Sequence, residues 1–210
     1  MNAYPLLVVT AVAPEADAFR AGLDPARTVV EAVGVGPAAA AAGTARLLAT
    51  GAYRAVISAG IAGGFPGRAD VGGLVIATRS IAADLGAESP DGFLPIEDLG
   101  FGASVLDADP GLVKALHAAL PDAVTGDVLT LATVTGTAET AGRLAARFPL
   151  AVAEAMEGYG VAVAATGAGV PFVELRAISN PIGPRDRAAW RLADAFAALR
   201  STTPALNTLP

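Results

Sequence analysis

Between Val170 and Ser179 the chain reads VPFVELRAIS, an apolar run with no polar alternation. Gly167, Gly169 and Pro171 punctuate it on one side and Asn180-Pro181 on the other. A short continuous apolar run bounded by turn residues is the pattern of a strand covered on both faces. Covering both faces requires helices on either side, so this run commits the chain to a layered α/β arrangement. Glu174 and Arg176 interrupt the run. A guanidinium in such a place needs a carboxylate or carbonyl partner if it is buried. In open α/β sheets, ligands gather at the carboxyl ends of strands, which puts Asn180, at this strand's tip, in a position to meet one.

The rest of the chain alternates in the same way. Strand-like runs fall at Leu6–Thr10, Thr28–Val33, Ala55–Ser58, Gly73–Ile81 and Ala123–Val134. Helical segments fall at Pro14–Ala21, Pro37–Thr50, Pro110–Leu120, Thr137–Arg147, Ala155–Ala165 and Asp186–Leu199. Several begin with Pro, whose missing N–H costs nothing in a first turn. The expectation is a three-layer single domain over residues 1–200, with a central mixed, largely parallel sheet flanked by helices. The segment Asp84–Gly102 reads as an irregular excursion and residues 201–210 as a frayed tail.

Composition narrows the function classes. A chain of 210 residues that is 53% hydrophobic buries a substantial core. Its net charge of -6 carries no basic cluster, which argues against nucleic acid and anionic membrane partners. There is no cysteine, so thiol catalysis and thiolate metal sites are excluded. The single histidine, His117, sits on an Ala/Leu-rich segment and reads as a surface or packing residue. No metal and no cofactor are expected. The opening MNAYPLLVVT lacks a basic n-region and reads as the first strand, and no stretch of about 20 residues is apolar enough to span a bilayer. The cytoplasm is the expected compartment.

Three further features bear on chemistry. Glu15 follows the first strand after Ala13-Pro14, where an acid in a helix's first turn is favoured by the macrodipole alone. Ser58-Ala-Gly-Ile-Ala-Gly-Gly64 reads as a strand entering a Gly-rich turn, either ordinary turn chemistry or a close backbone approach to a ligand. Val33-Gly-Val-Gly36 fits a dinucleotide fingerprint only in letters. It follows the second strand, Pro37 interrupts it, and no acid ends the next strand, so it reads as a tight turn lining the floor of a site.

Met156-Glu157 on a small-residue segment, followed by VPFVELRAIS and a polar residue, resembles the nucleoside phosphorylase and nucleosidase superfamily. The likeness runs from about Leu6 to Leu199 and leans to the hydrolytic branch that includes the methylthioadenosine/S-adenosylhomocysteine nucleosidases. The ending ISNPIGPRDRAAWR resembles that of the futalosine hydrolases. The resemblance implies a metal-independent N-glycosidase for a purine nucleoside, releasing hypoxanthine from futalosine in menaquinone biosynthesis. Other purine nucleosides, phosphorolysis, or binding without turnover are the alternatives.

By that resemblance Glu15 activates water, Arg176 helps to position it, and Met156 and Glu157 hold the ribose hydroxyls. The turn with Gly60, Ile61 and Ala62 borders the ribose and the nucleophile. Phosphorolytic relatives tend to carry Arg at the position of Ser58 and a hydroxyl at that of Ile61, both for phosphate. This chain has neither, which favours water. Hydrolytic relatives often keep Ser where Ile61 stands, so the water's other holder stays open. Ser179 is a substrate-binding residue, and Asn180 meets N7 of the base. Adenine-cleaving relatives have Asp at the position of Asn180, so the amide suits a 6-oxopurine. Arg185 and Asp186, near the start of the last helix, are read as substrate contacts, Asp186 also as the reserve contact to the base. A homodimer or larger homo-oligomer is implied too, with the Asp84–Gly102 excursion near a neighbour's site.

Overall fold

The computed structural model describes residues 4–209. In chain order the elements are β1 (Leu6–Thr10), α1 (Ala13–Arg20), β2 (Thr28–Ala32), α2 (Pro37–Thr50), β3 (Ala55–Gly64), β4 (Leu74–Ala82), β5 (Gly86–Ser89), β6 (Gly92–Pro95) and β7 (Val105–Asp107). They continue with α3 (Pro110–Ala119), β8 (Val124–Thr130), α4 (Ala138–Arg147), β9 (Ala151–Ala155), α5 (Gly158–Gly167), β10 (Phe172–Pro181), α6 (Leu192–Ser201) and α7 (Thr203–Thr208).

The apolar run becomes β10, and its two faces divide the molecule. Val173, Leu175 and Ala177 join β1, α1, α3 and α6 in the largest core cluster. Phe172 on the opposite face joins α2 and α5, so helices cover both sides as the run requires. Glu174 and Arg176 share the face of Phe172.

The central sheet is mixed, as expected, but it closes on itself instead of lying as one layer. Strands β3, β10, β4, β8 and β9 pair in a closed ring, with β1 and β2 extending from β3 and β7 added to β4. The pairs β1–β2, β1–β3, β3–β10, β4–β8 and β8–β9 are parallel. The pairs β4–β10, β3–β9 and β4–β7 are antiparallel. A mixed barrel results. Register shifts at Ile178/Asn180, Ala77/Arg79 and Asp127/Val128 bend the strands into it, as bulges do.

Three local readings also change. β3 continues through the glycines to Gly64, because β10 pairs with it along its whole length. The 84–102 excursion contains the β5–β6 hairpin, against which Arg147 stacks on Phe93 at 3.8 Å. The expected tail forms α7, which buries Ala205 and Leu206, and Leu209 joins the core beyond it. Asn207 clasps this end to α1's exit, donating to Gly22 O at 3.1 Å and accepting from Asp24 N at 3.2 Å.

Helices α2 and α5 touch through small residues. A Cβ on Gly160 would lie 2.2 Å from the Pro37 carbonyl oxygen, a backbone atom that cannot swing aside. Gly160→Ala must therefore push the helices apart. Overpacking of this kind costs about 1–3 kcal/mol, so thermal denaturation should show a melting temperature several degrees lower. An unchanged melting temperature would contradict the close approach.

Candidate active site

The site lies where the sheet forks. One edge of β3 pairs with β1 as far as Ser58 and with β9 only from Gly63 onward. Between them Ile61 N–H has no strand partner on that edge. Glu15 supplies one: its Oε1 accepts from Ile61 N at 2.9 Å. Its Oε2 accepts from Ala11 N at 3.0 Å and Val12 N at 3.3 Å, the donors left free where β1 ends and α1 begins. The carboxyl is 3% exposed yet lines a cavity of about 290 Å³. Burial raises its pKa above the ordinary range, while the bond from Ile61 and the nearby Arg176 pull the other way. A carboxylate so anchored and so poorly solvated is suited to take a proton from water.

Met156 and Glu157 stand at the turn from β9 to α5, not on a helix as the sequence suggested. Residues 151–155 are drawn into the ring as β9, and α5 starts only at Gly158. Glu157 accepts from Gly36 N at 3.2 Å and from Met156 N at 3.3 Å. Gly36 holds φ of +89°, which glycine adopts freely, and the Val33–Gly36 turn does form part of the floor through Val35.

Arg176 is 1% exposed and stands behind the cavity wall. It donates to Glu174 at 2.8 Å and to Ser58 Oγ at 3.2 Å, and lies 3.5 Å from Glu157. Glu174 also accepts from the Ser80 hydroxyl, and its complete burial lifts its pKa despite Arg176. Gly60 too lies behind the wall. A Cβ there would meet Glu15 Oε1 at 2.7 Å and Arg176 Nη1 at 2.9 Å, so its lack of a side chain lets these groups approach. Ile61 and Ala62 reach the cavity itself.

On the far end of β10, Ser179 donates to Asn180 Oδ1 at 2.8 Å, and Asn180 Nδ2 donates to Pro181 O at 2.9 Å. One N–H of that amide remains for a ligand. Arg185 and Asp186 line the cavity but not on a helix N-terminus. Asp186 accepts from Ala188 N at 3.0 Å and caps a single 3₁₀ turn, Arg187–Ala189. Arg191 N then donates to Ser179 O at 2.8 Å, and α6 begins at Leu192. The last helix therefore starts later than the expected Asp186.

Several wall residues were not singled out as site residues in the sequence, among them Val134 and Thr135 after β8, Glu154 on β9, and Trp190. They sit on a loop, a short Ala-rich strand and a 3₁₀ exit, none of which carries a periodic pattern.

Residues 11–205 match the sequence pattern of a family described as the phosphorylase superfamily. The futalosine hydrolase of Streptomyces coelicolor is 51% identical over 215 residues, covering 92% of this chain and 91% of that one. The futalosine hydrolase of Acidothermus cellulolyticus is 50% identical over 218 residues, covering 92% and 89%. Among solved structures, the 5′-methylthioadenosine/S-adenosylhomocysteine nucleosidase of Neisseria meningitidis in complex with methylthio-immucillin-A superposes with a TM-score of 0.84. That match has 21% identity and covers 98% of this chain and 100% of that one.

Proposed function

The chain belongs to the phosphorylase superfamily, and from that premise we propose that it hydrolyses the N-glycosidic bond of futalosine. The products are hypoxanthine and dehypoxanthinyl futalosine, within the futalosine route to menaquinone. The identity of 50–51% with two futalosine hydrolases, over about nine-tenths of each chain, supports this substrate. The observation that carries the chemistry is Glu15, held by three backbone N–H groups at the cavity wall.

Glu15 takes a proton from water as its oxygen bonds to C1′. The C1′–N9 pair leaves with the purine, and positive charge develops on the sugar. Glu157 accepts hydrogen bonds from the ribose hydroxyls, with Met156 beside it; a carboxylate serves two vicinal donors at once. The free N–H of Asn180 meets N7 of the departing base, where negative charge grows. Arg176 holds Glu157 and Glu174 in place from behind and acts as a positioning residue. Its charge is committed to carboxylates and it is absent from the wall, which supports water over phosphate as the nucleophile. Arg185 and Asp186 meet the substrate at the rim, and the aryl carboxylate of futalosine suits the guanidinium.

A homodimer is the assembly we favour. The exposed Phe93, Leu94 and Phe101 of the 84–102 excursion offer it an apolar surface. The function is tested by mass spectrometry of products from futalosine in phosphate buffer. Hypoxanthine with a free reducing sugar is expected. Formation of a sugar 1-phosphate, or no turnover at all, would overturn the reading.

A further inference from the structure

Glu174, the acid inside the apolar run of β10, lies outside the cavity wall yet sits among the groups that serve it. It is completely buried, two residues before Arg176 and on the same face of the strand. In register with β3 it stands beside Ser58, and Arg176 stands beside Gly60. A Cβ on Gly158 would overlap both Glu174 oxygens, so the first residue of α5 has to be bare to admit this carboxyl. One oxygen accepts from Arg176 Nε at 2.8 Å and the other from the Ser80 hydroxyl. Burial acts first against the ionised form, while Arg176 and Ser80 favour it.

The Arg176 guanidinium is shared out edge by edge. Its Nε goes to Glu174, one terminal nitrogen reaches Ser58 Oγ at 3.2 Å, and the other stands 3.5 Å from Glu157. Glu15 is close as well, since a Cβ on Gly60 would meet Glu15 Oε1 at 2.7 Å and Arg176 Nη1 at 2.9 Å. Yet the ion pairs of Arg176 among the described residues are with Glu174 and Glu157, and none is with Glu15. Only the bare space over Gly60 separates base from cation. A carboxylate that pairs with a guanidinium holds protons less tightly and spends a lone pair on it. An acid on the guanidinium's other edge opposes both effects.

We propose that Glu174 is a positioning residue for water activation: it holds Arg176 by the Nε edge and offsets its charge, so that Glu15 keeps a lone pair and its affinity for the proton of water. The proposal rests on the reading of Glu15 as the base of a nucleosidase. The charged groups facing Arg176 are Glu174 beside it on β10, Glu157 from the turn before α5, and Glu15 from α1. Ser58 of β3 and Ser80 of β4 add hydroxyls to the same cluster. Without the acid at 174, Glu157 alone balances the cation, and Arg176 is left to divide itself between the ribose holder and the base. A role confined to folding would make Glu174 matter for stability and leave the titration of Glu15 where it is.

The test is the pH profile of kcat on futalosine for the wild type and Glu174→Gln, beside an infrared titration of the Glu15 carboxyl, assigned by difference against Glu15→Gln. In Glu174→Gln the acid limb should move to lower pH and the plateau should drop, because a base beside an uncompensated cation is weaker. The ratio of variant to wild-type activity should rise by about three- to tenfold from neutrality to the acid side of the profile. A packing lesion lowers both ends alike. The Glu15 carboxyl band should titrate at lower pH in the same variant. An unmoved limb and an unmoved band, in an enzyme that cleaves futalosine, overturn the role of Glu174 and leave the proposed function intact. If the wild type does not cleave futalosine, the proposed function fails and the infrared titration alone decides the inference. Should Glu174→Gln not fold, Ser80→Ala removes the hydroxyl that supports the ionised acid. It should move the Glu15 band in the same direction by less, and an unmoved band there overturns the inference equally.

Discussion

Glu15→Gln is expected to lower kcat on futalosine by about 10²–10⁴-fold, the range a positioned general base contributes. KM should stay within a few-fold, because shape and wall contacts survive. The amide is not an innocent replacement here. Both Glu15 oxygens accept from backbone N–H groups, and Gln must turn its NH₂ towards either Ile61 or the Ala11–Val12 pair. A modest drop in melting temperature should accompany the loss, and steady-state kinetics separates the two. The pH profile gives an independent check. Burial, chiefly, lifts the Glu15 carboxyl above the ordinary range, and the base acts only when ionised. Wild-type activity should therefore fall as pH drops through that raised pKa, at a higher pH than a solvated glutamate would give. The variant's residual activity should lack this limb. Near-wild-type turnover in Glu15→Gln would remove the acid from water activation.

Glu15 also shows why residues alone left its reading open. An acid at the third position of a helix serves the helix start and, from a strand tip, can serve a ligand. The structure has it at the helix start and at the cavity wall together. It reaches back to Val12 N–H as a first-turn acid and across to Ile61 N–H at the fork of the sheet. The first bond is local and legible in sequence. The second depends on β1 and β9 separating along β3, which only tertiary pairing decides.

The same division runs through the fold. The α2 helix, with Pro at its first position and an unbroken Ala-rich run, was legible to the residue. β10 was legible because few structures other than a doubly covered strand tolerate such a run. β9 was not. AVAEA is rich in a strong helix former, and the local signal favours extending the next helix backwards. Pairing with β8 and β3 overrides that preference, and in doing so it turns Glu154 onto the cavity wall. Barrel closure was equally invisible, since it depends on the register shifts in β4, β8 and β10 and not on any strand's composition.

Arg176→Met is expected to destabilise the fold by about 3–5 kcal/mol near neutral pH, the usual effect of removing one partner from a buried ionic cluster. The size follows from the charges left behind. Glu174 and Glu157 both pair with Arg176, and Glu15 approaches the same guanidinium across Gly60. Without it, three poorly solvated carboxyls share a small volume with no cation. The effect should depend on pH, and its sign is fixed. Burial already raises the folded-state pKa of Glu174 and of Glu15 above their unfolded values, and removing Arg176 raises both further. The folded variant then binds more protons than the unfolded chain, so its stability falls as pH rises through the window between the two values. Below that window the carboxyls are neutral and the missing charge matters little. Denaturant unfolding of both proteins near neutrality, and again about two pH units lower, should show the deficit shrinking with acidity. Parallel pH dependences would mean that the carboxyls are not coupled to Arg176, and that its place behind the active-site wall is one of packing alone.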